Sequence, residues 1–364
     1  MCHPLAGSRQ DAEWLCLFPY QPVDQLHDGY RHTGPITAIR RRHTSPGSDA
    51  DGGIWRPFAD GTPGCCIGTR RLLKHVVGNH VVFEEVHENL GLNFRYSWRT
   101  STEFGFVRTA TLENVGSREI AVELVDGLQN VCPSGVSLAT YRQASCLADA
   151  YKHNEYDAAT RMGIYSLTAQ ILDRAEAAEV LQATTVWCRG LPGAVVFLSP
   201  DGLHAFYEGG TPAPDSLCTG QRGNYFVFSP LRLAPGEARS WDLVADVGRT
   251  HAQVAALRHQ LADDAPLQQV LEEAIHRDHE ELLRNVASAD GLQATGSQLA
   301  TSHHLANVLF NNMRGGVAGE NYLVESHDFL AFVAGRNHAV ENAERAFLYG
   351  LPERIDYTEL LALA

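Results

Sequence analysis

Carboxylates are the first residues in this chain that suggest chemistry: Glu84, Glu85, Asp149, Glu155, Asp157, Asp173, Glu176 and Glu179. Two of them flanking one bond could act as proton donor and base. Glu84 and Glu85, however, are neighbours in a segment of alternating polarity, so they project to opposite faces of a strand and cannot share a bond. The set reads as solvated carboxylates. His276, His279 and Glu280 lie one turn apart on a helical pattern and could offer ligands to a metal. No H-E-x-x-H arrangement and no third ligand accompany them, so a wet helix face is the simpler reading, as it is for His303 and His304. Cys65 and Arg71 have a C-x5-R spacing that can cradle a phosphate. The usual preceding His and the strand-to-helix setting are missing, which makes the spacing a coincidence. No metal and no cofactor is expected.

Two further groups suit binding rather than reaction. Tyr96 and Trp98 alternate in one segment with Arg95 and Arg99 nearby, which could form an aromatic platform for a sugar ring. The same stripe is what the core of a sandwich needs. Asn311-Asn312-Met313-Arg314-Gly315-Gly316 ends a helical pattern in glycines, where Asn312 and Arg314 could reach a ligand at a domain interface.

The elements that must position these residues change character along the chain. Residues 1–60 are rich in Pro, Gly, Asp and His, and His43–Gly53 reads as an exposed loop. From Arg70 apolar residues recur at every second position. Leu92, Phe94, Tyr96 and Trp98 share one strand face. Phe106, Ala110 and Leu112, the turn Val115–Arg118, and Ile120, Val122 and Leu124 read as a hairpin. More strands follow at 163–171 and 183–188, with Asp173–Gln182 between them as a helix or a charged connection. Ser199-Pro200-Asp201-Gly202 reads as another hairpin turn, and 225–228 pairs with 239–247 around Ala234–Glu237.

Near Gly248 the period becomes helical. One helix is expected after Asp264 and Pro266, a second over Gln298–Met313, then a short strand at Tyr322–Val324. Ser326 reads as the N-cap of one long helix running to Gly350, and Asp356 as the cap of another. The fold class is mainly β plus α: an antiparallel β-sandwich in 1–249, linker helices in 250–318, and the start of a further helical region in 319–364. The apolar run at the end, Leu360–Ala364, has nothing later in the sequence to cover it: either it docks back on the β-domain or, the preferred expectation, the chain is the front part of a longer protein.

A length of 364 residues suffices for two domains of about 100–200 residues each. The net charge of −14 excludes an ordinary nucleic-acid partner, whose phosphates need a basic surface. No window is apolar enough for a membrane helix, so no membrane partner is expected. The eight cysteines form no C-x-x-C pair, and Met1–Tyr20 lacks the features of a signal peptide. A cytoplasmic protein with reduced thiols is the expectation.

The segments Gly78–Gly116, Leu124–Val136, Leu233–Gly248 and Asn307–Gly316 resemble the front of cellobiose and chitobiose phosphorylase-like carbohydrate enzymes. The resemblance implies an N-terminal β-supersandwich similar to the galactose mutarotase fold, joined by linker helices to an (α/α)6 barrel that holds the chemistry. It implies an oligosaccharide or sugar ligand, a downstream barrel domain as partner, and a homodimer. It places no catalytic residue on this chain. Three readings follow: a non-catalytic carbohydrate-binding and structural front of a glycoside phosphorylase or hydrolase, a self-sufficient mutarotase-like epimerase, or a protein-interaction module.

Overall fold

Alternation of apolar side chains on both faces of most strands dictates a layered structure, since each face must be covered. The computed structural model describes residues 16–19, 32–42, 53–59, 67–75, 77, 79–136, 138–171, 178–262, 264–293, 295–313 and 323–363. These fall into two units, 1–275 and 276–364.

The first unit opens with seven strands: β1 (Gly34–Arg41), β2 (Ile54–Trp55), β3 (Ile67–Lys74), β4 (Val81–His87), β5 (Leu92–Ser101), β6 (Gly105–Asn114) and β7 (Ile120–Val131). Two short helices follow, α1 (Leu138–Gln143) and α2 (Ser145–Ala150), then β8 (Lys152–Asp157), β9 (Met162–Leu167), β10 (Gln182–Arg189) and β11 (Val195–Phe197). Helix α3 (Pro200–Tyr207), β12 (Leu217–Thr219), β13 (Gly223–Leu233), β14 (Ala238–Thr250), α4 (His251–Leu261) and the first turns of α5 (Asp264–Ser288) complete it.

The strands form two antiparallel sheets. One has five strands in the order β11-β13-β7-β1-β2, and the other has nine in the order β12-β8-β9-β10-β14-β6-β5-β4-β3. Between them lies the main core. Phe106, Ala110 and Leu112 of β6 and Trp241, Leu243 and Ala245 of β14 meet Val122, Leu124 and Leu128 of β7 and Tyr225 and Val227 of β13. The alternate residues face outward and are buried too. Val125, Phe226 and Phe228 pack beneath Leu203 and Phe206 of α3. Val107, Trp187 and Val244 pack beneath Leu257 of α4 and Leu267, Leu271 and Ala274 of α5. Helices therefore cover the outer face of each sheet, and the antiparallel β-sandwich followed by helices matches the expected class.

Several local expectations are corrected. Strands β6 and β7 do not form a hairpin: β6 pairs with β5 and β14, β7 with β1 and β13. The turn at 115–118 carries the chain from one sheet to the other, and the two apolar stripes face each other across the core. Asn114 holds this crossover, its Nδ2 donating to the carbonyl oxygens of Arg118 (2.8 Å) and Leu233 (2.9 Å). The same holds for β13 and β14, which lie in different sheets. Ser199 starts a helix rather than a hairpin turn. Its Oγ accepts from the Asp201 amide, Pro200 occupies the first helical turn, and Leu203 and Phe206 are buried one turn apart. Helices α1 to α3 interrupt what was read as an unbroken series of strands. The expected loop at His43–Gly53 lies outside the described residues except for Gly53, and so does most of Asp173–Gln182; 178–181 form no helix.

The second unit contains α6 (Gln298–Met313), β15 (Leu323–Glu325), α7 (Ser326–Arg336), α8 (His338–Ala343), α9 (Arg345–Leu348), β16 (Arg354–Asp356) and α10 (Tyr357–Leu363). Strands β15 and β16 pair antiparallel. The long helix expected from Ser326 is broken into three. Ser326 is its first helical residue and not its cap; its hydroxyl donates to the Pro352 carbonyl. Asn337 breaks the run and caps α8, accepting from the Val340 amide at 3.1 Å. Asp356 takes the Thr358 amide at 2.8 Å at the start of α10, as expected. Among the described residues no helix is long and apolar enough to cross a membrane.

Beyond its apolar packing, helix α5 is tied to the nine-stranded sheet by a two-pronged polar contact. Arg99 donates through Nη1 and Nη2 to the two carboxylate oxygens of Glu272, at 2.6 and 2.8 Å. That hydrogen bond is the main reason the Glu272 carboxyl lies below its usual range. A depressed carboxyl contributes stability above its unfolded-state value and loses it as pH falls through the folded-state value. Asp242 runs the other way, raised by burial. Glu272→Gln leaves Asp242 in place and is expected to lower stability by under about 1 kcal/mol near neutral pH, because Glu272 is half exposed. The difference in thermal midpoint from the parent should narrow as pH falls through the lowered titration range of Glu272 and close once its carboxyl is protonated; a gap that persists in strong acid would contradict the assignment.

Candidate functional site

The charged residue least at home in its surroundings is Arg108, which sits on the inward stripe of β6 between Phe106 and Ala110 and is 1% exposed. Its counterpart is Asp126, on the inward stripe of β7 between Leu124 and Leu128 and fully buried. They belong to opposite sheets and meet across the core, Arg108 Nη1 donating to Asp126 Oδ2 at 2.6 Å. Trp241 Nε1 donates to the same oxygen at 2.6 Å, and Thr37 Oγ1 donates to Oδ1 at 2.6 Å. Arg108 Nη2 reaches Thr37 Oγ1 at 3.1 Å. The carboxylate is thus fully engaged by three donors, which is the condition for keeping a buried charge.

Arg108 is less completely satisfied, because its Nε has no hydrogen-bond partner. Beside it opens a cavity of about 170 Å3, lined by Pro35, Ile36 and Thr37 of β1, the turn Arg56–Ala59, Tyr96, Arg108 and Gln129. Gln129 is 7% exposed, and its carboxamide has no partner among the described residues. Nor does the Tyr96 hydroxyl, whose pKa is raised first by burial; the charge of Arg108 pulls it back and that of Asp126 adds to it. Two polar groups without protein partners, the Gln129 carboxamide and the Tyr96 hydroxyl, therefore line one cavity, with the occluded Arg108 Nε behind its wall. Buried polar groups are normally paired, so such a gathering marks a place where a ligand or solvent supplies the missing bonds.

The cavity wall at Phe58 is strained. Phe58 has φ +65°, a left-handed conformation that bulky residues avoid. It is held there by the buried Glu85, whose Oε2 accepts from the Phe58 amide at 2.7 Å and from Arg70 Nε at 2.7 Å. Glu85 Oε1 accepts from Trp55 Nε1 at 2.8 Å. The Phe58 ring meets Phe83, Phe94 and Tyr96 at 5.4–6.3 Å. A strain of roughly 1–3 kcal/mol persists only where the surroundings impose it, and such places cluster at ligand sites.

Of the residues singled out from the sequence, Tyr96 lines the cavity and Trp98 packs against the core without lining it. Tyr96 is not an open platform. Phe83 of β4 stacks on it at 4.8 Å, while the Arg108 guanidinium, from the strand on the other side, lies 4.5 Å from its centroid. Its edge and hydroxyl remain for a ligand. Asn312 belongs to α6, in the second unit; Arg314 lies outside the described residues, as does Cys65. Glu84 and Glu85 point to opposite faces, Glu84 pairing with Arg71 at 3.3 Å. Among the described residues no cluster of three His, Cys, Asp or Glu side chains could hold a metal. Burial pushes the Cys132 and Cys188 thiols up to about 11 and about 12.

No protein-family model and no curated protein matches the sequence. Solved structures do. A bacterial glucoamylase bound to acarbose is 10% identical with a TM-score of 0.41, over 74% of this chain and 34% of that one. A protein assigned as a kojibiose phosphorylase, from the human microbiome, is 6% identical with a TM-score of 0.40, over 70% of this chain and 28% of its own. A protein assigned as an aldose 1-epimerase, from Escherichia coli K12, is 10% identical with a TM-score of 0.29, over 59% and 83%. This chain spans about a third of the glucoamylase. These are likenesses of fold.

The buried network itself makes a measurable claim. Asp126→Asn keeps the shape but leaves Arg108 uncompensated, and is expected to cost about 3–5 kcal/mol. Trp241→Phe removes one donor and should cost about 1–3 kcal/mol. Urea midpoints read both; a shift below about 1 kcal/mol for Asp126→Asn would show that the pair does not hold the sheets.

Proposed function

We propose that the chain binds carbohydrate in the cavity beside Arg108, as the non-catalytic, carbohydrate-binding and structural part of a glycoside phosphorylase or hydrolase acting on oligosaccharides. The observation that carries this reading is the meeting of two unpartnered polar groups, the Gln129 carboxamide and Tyr96 Oη, with the apolar surfaces of Pro35, Ile36, Pro57 and Phe58. A sugar ring presents just those two kinds of surface, hydroxyls around its rim and C–H groups on its faces. The cavity has room for about one ring and not for a long chain, so it would grip an end or a single unit of an oligosaccharide.

Binding is favoured over turnover by the composition of the wall. A self-sufficient epimerase needs an acid and a base, such as His with Asp or Glu, converging on the ring. Among the described residues the cavity lining includes neither, and two buried carboxylates next to it, Asp126 and Glu85, are each occupied by three donors. The chemistry of the whole protein is accordingly assigned to a helical barrel partner. No observation on the sandwich favours the protein-interaction reading over this one.

The test is a binding measurement with the free monosaccharides glucose, galactose and mannose, read by ligand-observed NMR, on the parent and on Gln129→Leu. The variant loses an unpartnered amide, so its stability should stay within about 1 kcal/mol of the parent or rise. Its saturation-transfer signal should vanish. Sugar binding unchanged by Gln129→Leu would place the site elsewhere.

A further inference from the structure

The charges around the cavity do not balance. Arg108 is matched by Asp126 and Arg70 by Glu85. Arg56, in the cavity wall, makes no ion pair among the described residues; its guanidinium lies 5.9 Å from the centroid of the Tyr207 ring. Among the described residues that line the cavity, the Arg108 charge is matched by Asp126 and the Arg56 charge by no carboxylate, which leaves one positive charge at a half-buried site. Burial raises the pKa of the Tyr207 hydroxyl, and hydrogen bonding to Arg56 and then its charge pull it back.

We infer that the ligand of this cavity is a sugar bearing an anionic group, a carboxylate or a phosphate ester, with Arg56 taking the anion while Gln129 and Tyr96 take ring hydroxyls. The inference rests on the carbohydrate reading above and sharpens its ligand class. The chain as a whole carries −14 and repels anions at long range. An acidic sugar is therefore retained only where a local cation meets it. A guanidinium suits this role because its planar fork matches carboxylate and phosphate oxygens two at a time. The strained turn at Phe58, two residues on, fixes the backbone that carries Arg56.

The experiment compares matched sugars on the intact chain by isothermal titration: glucose, galactose and mannose, their uronates, and their 6-phosphates, with inorganic phosphate and acetate as controls. At low salt at least one acidic sugar should bind roughly tenfold or more tighter than its neutral parent. The uronate and 6-phosphate arms tell a carboxylate from a phosphate ligand. Arg56→Gln should abolish the gap, Arg56→Lys should keep part of it, and added salt should narrow it. Thermal midpoints of both variants should match the parent, since Arg56 supports no ion pair. If neutral and acidic sugars bind alike, or if Arg56→Gln leaves the gap, the inference is overturned while the carbohydrate reading stands. If no sugar binds in any arm, both fall. If phosphate alone binds as tightly as the sugar phosphates, the site reads an anion and no sugar, and the inference is again overturned.

Discussion

One ion pair joins the two halves of the sandwich. Arg108 and Asp126 come from different sheets, and no backbone hydrogen bonds connect those sheets across the core. Hydrophobic burial presses the layers together without direction, and a one-residue slip of either strand would exchange its inward and outward stripes. The pair adds direction. It forms in a single register, with Thr37 and Trp241 completing the coordination of the carboxylate. Removing two charges from water costs several kcal/mol per ion, and the three short hydrogen bonds to Asp126 are what offset it. Gly127, the next residue, keeps β13 in place, since a Cβ there would stand 2.1 Å from the Tyr225 carbonyl oxygen.

The cavity is a by-product of the same arrangement. Nη1 and Nη2 of Arg108 are committed to Asp126 and Thr37, and the residue forms part of the wall where β1, the Arg56–Ala59 turn and β5 meet. Glu85 then draws the Phe58 amide inward and closes the wall with an aromatic ring in a strained conformation. A second buried carboxylate thus does locally what Asp126 does between the sheets. Both sacrifice hydration of a charge for fixed geometry, and the product of the two is a small pocket with directed donors and one unmatched cation.

Much of this architecture was legible in the sequence, and the part that was not had physical reasons. The stripe Leu92, Phe94, Tyr96, Trp98 announced β5, and the change of period near Gly248 announced α4 and α5. What alternation cannot reveal is whether two successive strands lie side by side or face to face, because both arrangements need the same inward residues. The turns at 115–118 and 234–237 were therefore read as hairpins where the chain crosses between sheets. Ser199-Pro200 serves as readily to start a helix as to make a turn, and only the burial of Leu203 and Phe206 decides. Strand β1 was hidden by its charged end and by the loop-like composition around it; β8, Lys152–Asp157, has almost no apolar content to read. Of the site, Tyr96 was found for its aromatic character. Arg108 and Asp126 carried a signal that was passed over: each is a charge of opposite sign standing on an otherwise apolar inward stripe. Gln129 and Arg56 carried none, since their importance lies in the partners they lack.

The measurement that tests the account most directly is a crystal structure of this chain grown with an acidic monosaccharide such as glucuronate. The account predicts the sugar in the cavity beside Arg108, with hydroxyls on Gln129 and Tyr96 Oη and the carboxylate on Arg56, and the Arg108–Asp126 pair undisturbed. A sugar bound elsewhere on the sandwich, with Gln129 and Tyr96 Oη bridged only by water, would contradict it.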